Sequence, residues 1–546
     1  MKPRIGNEGG FVLMVTLMSM VVMAIGAAAY LHLTKTQVVQ VRAQLRSTKA
    51  FFAAETGLEE AMGLLKNDFY YTPKPMKASW ADDKIYTATG FIDLASRGYP
   101  RYLSVENPDY DNEFYTLLDE TDYYAEKYGL YKATYQVDLS NLQGWTDRVW
   151  IKATGRYYEK NGDGTFTQKA ERRVLALVRA KSISPWDNVI FAGEGQNGRV
   201  INGNVDIRGS VHLLGTSLLP DDWAMELNGA GNIGNNYLGM PAELAARVSS
   251  IAKTYSGEIM DSLEAEVRVQ HGKVALSGSS QVGAPNVPGN GVKETVEGVH
   301  VRDGYAGNQG DLNVYSDNGS KVPYDLDAFE QGFPRLSEPY PEDSTVPYMK
   351  YLQANALVIS DPAELSQLQD IDPTSKFSYG DENTKGEISM DGDGHLRIRG
   401  VVVVRGDVNF NKFFVYEKRK LVYVYDTVEY QGRGSLTSTG SVGINCNVIT
   451  QSISTYPKED ILGVMAADTI SFNSAQINVM GVFYAENQIV SEKQTSVAGT
   501  FFSNYFDMGQ NVPSIYQVPE TAQYLPPGMI GDARIWTVKR MTWREV

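Results

Sequence analysis

Hydrophobic and polar positions change rhythm three times along this chain. From Phe11 to Leu33 there is no Asp, Glu, Lys or Arg, a run long enough to cross a bilayer as a helix and longer than the apolar core of a cleaved secretion signal. The small residues of "AIGAAAYL" bring no stop, because helical spacing continues past them. Val38, Val41, Leu45 and Phe52 share one face, followed by Ala54, Leu58, Ala61 and Leu65. No proline interrupts the run from Phe11 until Pro73. One helix over about 11–67 would be roughly 85 Å long, more than a compact domain can bury, so half of it must lie in a membrane or against other helices.

Pro73 and Pro75 in "YYTPKPMKASW" then remove amide donors and force extended backbone. A Tyr-rich, irregular stretch follows, and "RVWIKATGRYYEKNGDGTFTQKAERRVLALVRA" reads as two strands around an "NGDG" turn, an antiparallel hairpin.

The third rhythm is a period of two with glycine every six residues. Gly203, Gly209 and Gly215 bracket Val205, Ile207, Val211 and Leu213. The register returns at Gly394, Gly400 and Gly406 with Leu396, Ile398, Val402, Val404, Val408 and Phe410. It recurs at Gly434 and Gly440 with Leu436, Val442 and Ile444, where Cys446 takes the next glycine-phase place, and again in "AQINVMGVFYAEN" through Gly481. Glycine at a fixed phase in strands implies corners or close backbone approach, which fits the coils of a β-helix or solenoid; a twisted sandwich is the alternative and does not require the six-residue phase. The predicted fold is therefore α+β: a long N-terminal helix (11–67), a small antiparallel β head (68–185), and a mainly-β domain (186–546). That last domain is expected to carry a helical excursion at about 241–267 and a long loop at 316–390.

Composition supports a folded, turn-rich β protein, with 51 Gly and 33 Tyr in 546 residues. A formal charge of −15 without a Lys/Arg stripe disfavours a nucleic-acid partner. The single cysteine, Cys446, excludes an intrachain disulfide and a thiolate metal cluster. Gly193, Gly195 and Gly198 spell a formal G-x-G-x-x-G, but "RVINGNVDIRG" alternates as strand where a dinucleotide site needs a helix. His32, His212, His271, His300 and His395 show no metal-ligand spacing, and neither a G-x-S-x-G elbow nor a P-loop occurs. Asp391 and Asp393 in "MDGDGHLRIRG" are the carboxylate pair that glycoside cleavage or Ca²⁺ would need, and equally an ordinary turn before a strand. No catalytic residue, cofactor or metal is assigned. Tyr-rich runs such as "FYTLLDETDYYAEKYGLYKATY" and "EPYPEDSTVPYMKYLQ" are read as loops suited to contact surfaces.

The N-terminus carries a resemblance. Lys2 and Arg4, then "GGF", the uncharged run and its amphipathic continuation resemble a class III prepilin leader and helix, and "FFAAETGLEEA" at Phe51 is similar to the end of the N-terminal domain in the PilX family of type IV pilus minor pilins. The resemblance covers about the first seventy residues, the leader being 1–10. It implies a prepilin peptidase that cuts between Gly10 and Phe11 and methylates the new terminus, and an inner-membrane protein that moves into a pilus on the cell surface. Partners implied are the membrane, other pilins and a PilY-type tip adhesin. Major pilins of this kind carry glutamate as the fifth mature residue; here that assembly position is Val15, which suits a subunit at or near the fibre tip, as in PilX-like and K-type pseudopilin subunits. The kinking proline near mature residue twenty-two is replaced by His32. The expected function is pilus assembly or initiation and surface display or adhesion, without enzyme activity. The alternatives are a membrane-anchored glycan-binding or polysaccharide-active surface protein, and a K-type pseudopilin-like part of a type II secretion system.

Overall fold

The structure, a computed structural model, describes residues 8–75, 84–91, 115–125, 129–141, 148–197, 200–255, 258–326, 332–339, 345–381, 385–417, 420–491, 493–509, 513–531 and 535–546. Residues 1–7, with Lys2 and Arg4 of the expected leader, lie outside them, as do parts of the Tyr-rich stretch that follows the helix. The uncharged Phe11–Leu33 run and its proline-free continuation form one helix, Glu8–Asp68, of 61 residues, roughly 90 Å at 1.5 Å per residue. Contacts divide the chain into two compact units, each described by itself below.

The head unit joins the helix to a five-stranded sheet in the order Tyr115–Ala125, Tyr131–Asn141, Arg148–Lys160, Phe166–Ile183, Ile535–Glu545. The first four run antiparallel. The "NGDG" hairpin closes with the Asn161 amide donating to the Thr165 carbonyl at 2.7 Å. The helix contributes small side chains, Ala50, Ala53, Ala54 and Ala61 with Leu58 and Leu65, against Ala133, Val137, Val149, Ile151, Ala153 and Val174. Small residues on both sides bring backbones together: a Cβ added at Gly155 would stand 2.5 Å from the Ala54 nitrogen and nearer still to the Ala50 carbonyl oxygen.

The last strand differs from expectation. The sequence division carried the β domain to residue 546, whereas Ile535–Glu545 lies beside Phe166–Ile183 in the head sheet, with the Val546 amide donating to the Arg173 carbonyl at 3.0 Å. In chain order the large β unit is thus an insertion between two neighbouring strands of the head. Pairing across some 360 residues leaves no local trace in the sequence.

Within 182–535, the main part of the second unit, most strands stack in parallel. One uninterrupted run pairs, side by side, Gly298–Val301, Glu266–Val269, Val211–Leu213, Ile190–Gln196, Thr495–Asp507, Ile477–Val490, Ile461–Ala466, Arg433–Ser438, His395–Val404 and Leu357–Ile359. Two further runs follow the same stacking. Asn232–Gly234, Asp206–Arg208 and Ser514–Tyr516 belong to one; Val408–Phe410, Val442–Ile444 and Thr469–Phe472 belong to the other. Residues in the predicted alternate phase form the interior: Val205, Ile207, Val211, Leu213, Leu396, Ile398, Val402, Val404, Val408, Phe410, Leu436, Val442 and Ile444 are all buried, and so is Cys446 at its glycine-phase place. Two glycines show why the six-residue phase exists. Gly209 and Gly215 have φ of 136° and 58°, and a Cβ at Gly209 would strike the Gln517 side chain, one at Gly215 the His271 carbonyl.

The order of stacking is not the order of the chain. Coils wind outward from Ile190–Gln196 to Gly298–Val301; the chain then resumes at the opposite end with Leu357–Ile359 and winds back until Thr495–Asp507 pairs with Ile190–Gln196. The strand met first therefore lies inside the stack. Its ingoing and outgoing ends are neighbours: the Trp186 indole donates to the Ile530 carbonyl at 2.9 Å and packs on Phe502.

Two other expectations need correction. The helical excursion at 241–267 is one turn, Ala242–Ala245, followed by a hairpin of Ala252–Tyr255 and Glu258–Asp261 and then Glu266–Val269; strand pairing overrides the helical spacing there. The loop at 316–390 contains two short helices, Tyr348–Ala354 and Pro362–Leu368, and the antiparallel pair Lys376–Gly380 and Gly386–Asp391. Its first part links the two ends of the ten-strand run, roughly 43 Å apart at 4.8 Å per step, and its described residues form a strap over the outward row His300, Arg268, His212, Phe191, Phe502, Tyr484. Tyr324 bonds His212 at 2.8 Å, Asp325 bonds Arg268 at 2.9 and 3.3 Å, and Phe333 stacks on Tyr484.

Candidate assembly helix

The helix has two halves of opposite character. From Phe11 to Leu33 its apolar side chains are exposed, Phe11 at 72% and Val15 at 48%, and this helix is long and apolar enough to cross a membrane. The run is roughly 35 Å long against a hydrocarbon core of about 30 Å. Its hydroxyls need no water, since Thr16 donates to the Val12 carbonyl at 2.6 Å and Ser19 to the Val15 carbonyl at 2.8 Å. Helix continues without a break through Gly10 and Phe11.

Packing begins at Arg46. Its guanidinium grips Glu159 with two bonds of 2.7 and 2.9 Å, and one turn on Lys49 lies over the stacked rings of Tyr131 and Tyr157. On another flank Trp543 of the last strand donates to Glu55 at 2.6 Å and meets the Phe51 ring edge-on, while Arg540 pairs with Glu59 at 3.4 Å. Tyr135 bonds Glu60, and burial, then that carboxylate, push its phenol up to about 12. These contacts hold the carboxy-terminal half of the helix, while among the described residues the apolar Phe11–Leu33 run is exposed. "FFAAETGLEEA" is therefore the docking stretch: Ala53, Ala54, Leu58 and Ala61 face the sheet, and Glu55, Glu59 and Glu60 meet cations and hydroxyls on its flanks. The last-strand partners Arg540 and Trp543 were not visible as such in the sequence, where nothing links residues 55 and 543.

The other sequence candidates fall elsewhere. Asp391 and Asp393 sit in the turn before His395–Val404, where the Asp391 carboxylate accepts from the amides of Asp393 at 2.8 Å and His395 at 3.1 Å and pairs with the His395 ring at 2.6 Å. Burial acts against ionisation there, but the Asp393 amide and His395 outweigh it and hold Asp391 below the usual carboxylate range. No group of three or more His, Cys, Asp or Glu placed to hold a metal occurs among the described residues. His212 and His300, unrelated by spacing, come together in one row either side of Arg268; burial lowers His212 to about 3. Burial raises the Cys446 thiol to about 12, so it behaves as a core hydrophobe. Gly193 and Gly195 lie within Ile190–Gln196, and Gly198 is outside the described residues. The Tyr-rich runs expected as loops are largely regular: Tyr115–Ala125, Tyr131–Asn141 and Tyr348–Ala354.

No protein-family model matches the chain, and no curated protein does. Among solved structures it is similar to the competence-associated pilin ComZ from Thermus thermophilus, with a TM-score of 0.51, 20% sequence identity, and coverage of 92% of this chain and 97% of that one. At that identity the likeness is one of fold: a type IV pilin-like arrangement of long apolar helix, small antiparallel sheet and large β region, without singling out the PilX family.

Proposed function

We propose that this chain is a minor pilin of a type IV pilus or a related fibre, acting in assembly and surface display. The observation that carries the reading is the helix. Its head-packed half is fixed by close backbone contact, while the 23 uncharged residues from Phe11 to Leu33 present apolar surface on every side, with no partner among the described residues of the head. Such a surface is served first by lipid and then by like helices, so that apolar burial is exchanged during assembly and not lost. The pilin fold shared with ComZ supports the same reading.

Processing between Gly10 and Phe11 would free a helical terminus beginning at Phe11. Val15 at the fifth mature position leaves no carboxylate to seek an earlier subunit's terminal amine, which supports a place at or near the tip, where the inserted β unit would be displayed and a PilY-type adhesin could join it. The proposed role is structural and adhesive, not catalytic; of the carboxylate pair singled out by sequence, Asp391 is engaged in its own turn.

Mass analysis of the N-terminal peptide from the native envelope tests the reading. The expected result is an N-methylated Phe11 that disappears in a Gly10→Ala chain, together with loss of the protein from sheared fibres. An intact Met1, or a cut near Ala29, would return the segment to a plain anchor or a secretion signal.

A further inference from the structure

Between Val408–Phe410 and Thr427–Gln431 the coil is interrupted by an arm, Phe413–Glu417 paired antiparallel with Lys420–Tyr425. The two strands form a sheet of their own and, among the described residues, join no other. Phe413, Phe414, Tyr416, Leu421, Tyr423 and Tyr425 are 39% to 62% exposed. They occupy both faces, since Phe413 pairs with Tyr425 and Val415 with Tyr423, and Phe414 pairs with Val424 and Tyr416 with Leu421. An isolated two-stranded hairpin is marginal in water, and the other exposed apolar residues of the described β unit are mostly single side chains at loop tips. Neither the coil core nor the head explains an arm of this composition.

Charge narrows the occupant. The stretch 412–426, "KFFVYEKRKLVYVYD", carries Lys412, Lys418, Arg419 and Lys420 against Glu417 and Asp426, a positive stretch in a chain of net charge −15. Lys412 lies at the base and Lys420 next to the turn, bracketing the aromatic residues. Tyr and Phe flanked by Lys is the composition that settles at a bilayer interface, with rings among the upper acyl groups and ammonium heads at anionic headgroups. The open outer edges set the depth: in hydrocarbon their amides and carbonyls would have no partner, so the arm belongs at headgroup level and not across the membrane. Apolar side chains on both faces suit a fluid interface that closes around them better than a flat protein surface, which would cover only one.

We propose that this arm is a membrane-docking element that engages the surface of an anionic phospholipid bilayer. The inference stands on the β unit alone and holds whether or not the N-terminal helix is processed.

The test uses the full chain in nanodiscs of neutral phosphatidylcholine, mixed with vesicles of phosphatidylcholine and phosphatidylglycerol at 3:1 or of phosphatidylcholine alone, and read by flotation. Expected is co-flotation with the anionic vesicles that falls at least about tenfold with neutral vesicles, and likewise in Tyr416→Ser/Leu421→Ser/Tyr423→Ser. A second variant, Lys412→Glu/Lys420→Glu, keeps the apolar arm and is expected to lose binding to the anionic vesicles as well. Absence of co-flotation, or undiminished binding by both variants, overturns the proposal. Association of nanodiscs with one another without vesicles, lost in the triple variant, would overturn it in favour of a second copy of the chain as the occupant.

Discussion

Gly155→Ala asks whether close backbone contact is what fixes the helix on the head sheet. The added Cβ would lie 2.5 Å from the Ala54 nitrogen, where contacts below 3.4 Å are already tight, so the gap must open by about 0.9 Å there and by more at the Ala50 carbonyl. Both obstacles are helix backbone, and no side-chain rotation relieves them. The helix has to move as a body away from Ala53, Leu58 and Ala61, and a radial gap of that size forfeits a quarter to a half of the dispersion contacts across it. Overpacking of this kind costs about 3 kcal/mol, equivalent to about a hundredfold in the local opening constant. Because two units need not unfold together, the assay is amide hydrogen exchange followed separately in Arg148–Lys160 and in Ile461–Ala466. Exchange should rise about a hundredfold in the first and stay unchanged in the second. Gly162→Ala, where a Cβ would meet nothing within 4 Å, is the control and should fall within about 0.5 kcal/mol of the parent. Parental protection in the Gly155→Ala head would refute the close-contact argument.

Trp543→Ala should destabilise the head by about 1–2 kcal/mol through loss of its ring contact with Phe51 and its bond to Glu55; faster exchange in the helix around 50–60, with the coil unit unaffected, is the expected pattern. Asp325 provides a pH test of the strap. Burial raises its carboxyl, but Arg268 and His300 outweigh that and hold it below the usual range, so the folded state favours ionisation. Its stabilising contribution is complete at neutral pH, begins to fall as pH drops through about 4, where the unfolded chain takes up its proton, and is gone below the depressed folded value. Limited proteolysis within 316–356 should accelerate over that acid window, and Asp325→Asn should show the faster cleavage already at pH 7 with a flatter acid dependence.

How far the sequence could be read follows from where each signal is stored. The Phe11–Leu33 run, the amphipathic turn of Ala54, Leu58 and Ala61, and the glycine phase around Val211 and Val402 are local patterns, and the structure places each of them as the pattern requires. The helix expected at 241–267 failed because "PAELAARV" starts like a helix while Ala252–Tyr255 and Glu258–Asp261 gain more from pairing with each other. The pairing of Ile190–Gln196 with Thr495–Asp507, the strap over His212 and Arg268, and the last strand beside Phe166–Ile183 all join residues hundreds of positions apart. Nothing within a window of the chain could encode them. The candidate site was legible in its apolar half, from charge alone, and illegible in what clamps its other half, because Arg540 and Trp543 come from the far end of the chain.

The inside-out stacking of the β unit changes how such a domain can be altered over time. In a solenoid that starts at one end and stops at the other, an added coil pushes one terminus away from its attachment. Here both ends of the insertion sit at the internal seam, and among the described residues the two outer ends of the stack are linked to each other by the strap and not to the seam. A coil can therefore be gained or lost at either outer end, with a matching change in strap length, while the two strands that connect to the host sheet keep their spacing. The domain has two growing points and a fixed root, so its length can vary without any adjustment in the strands that connect it to the head sheet.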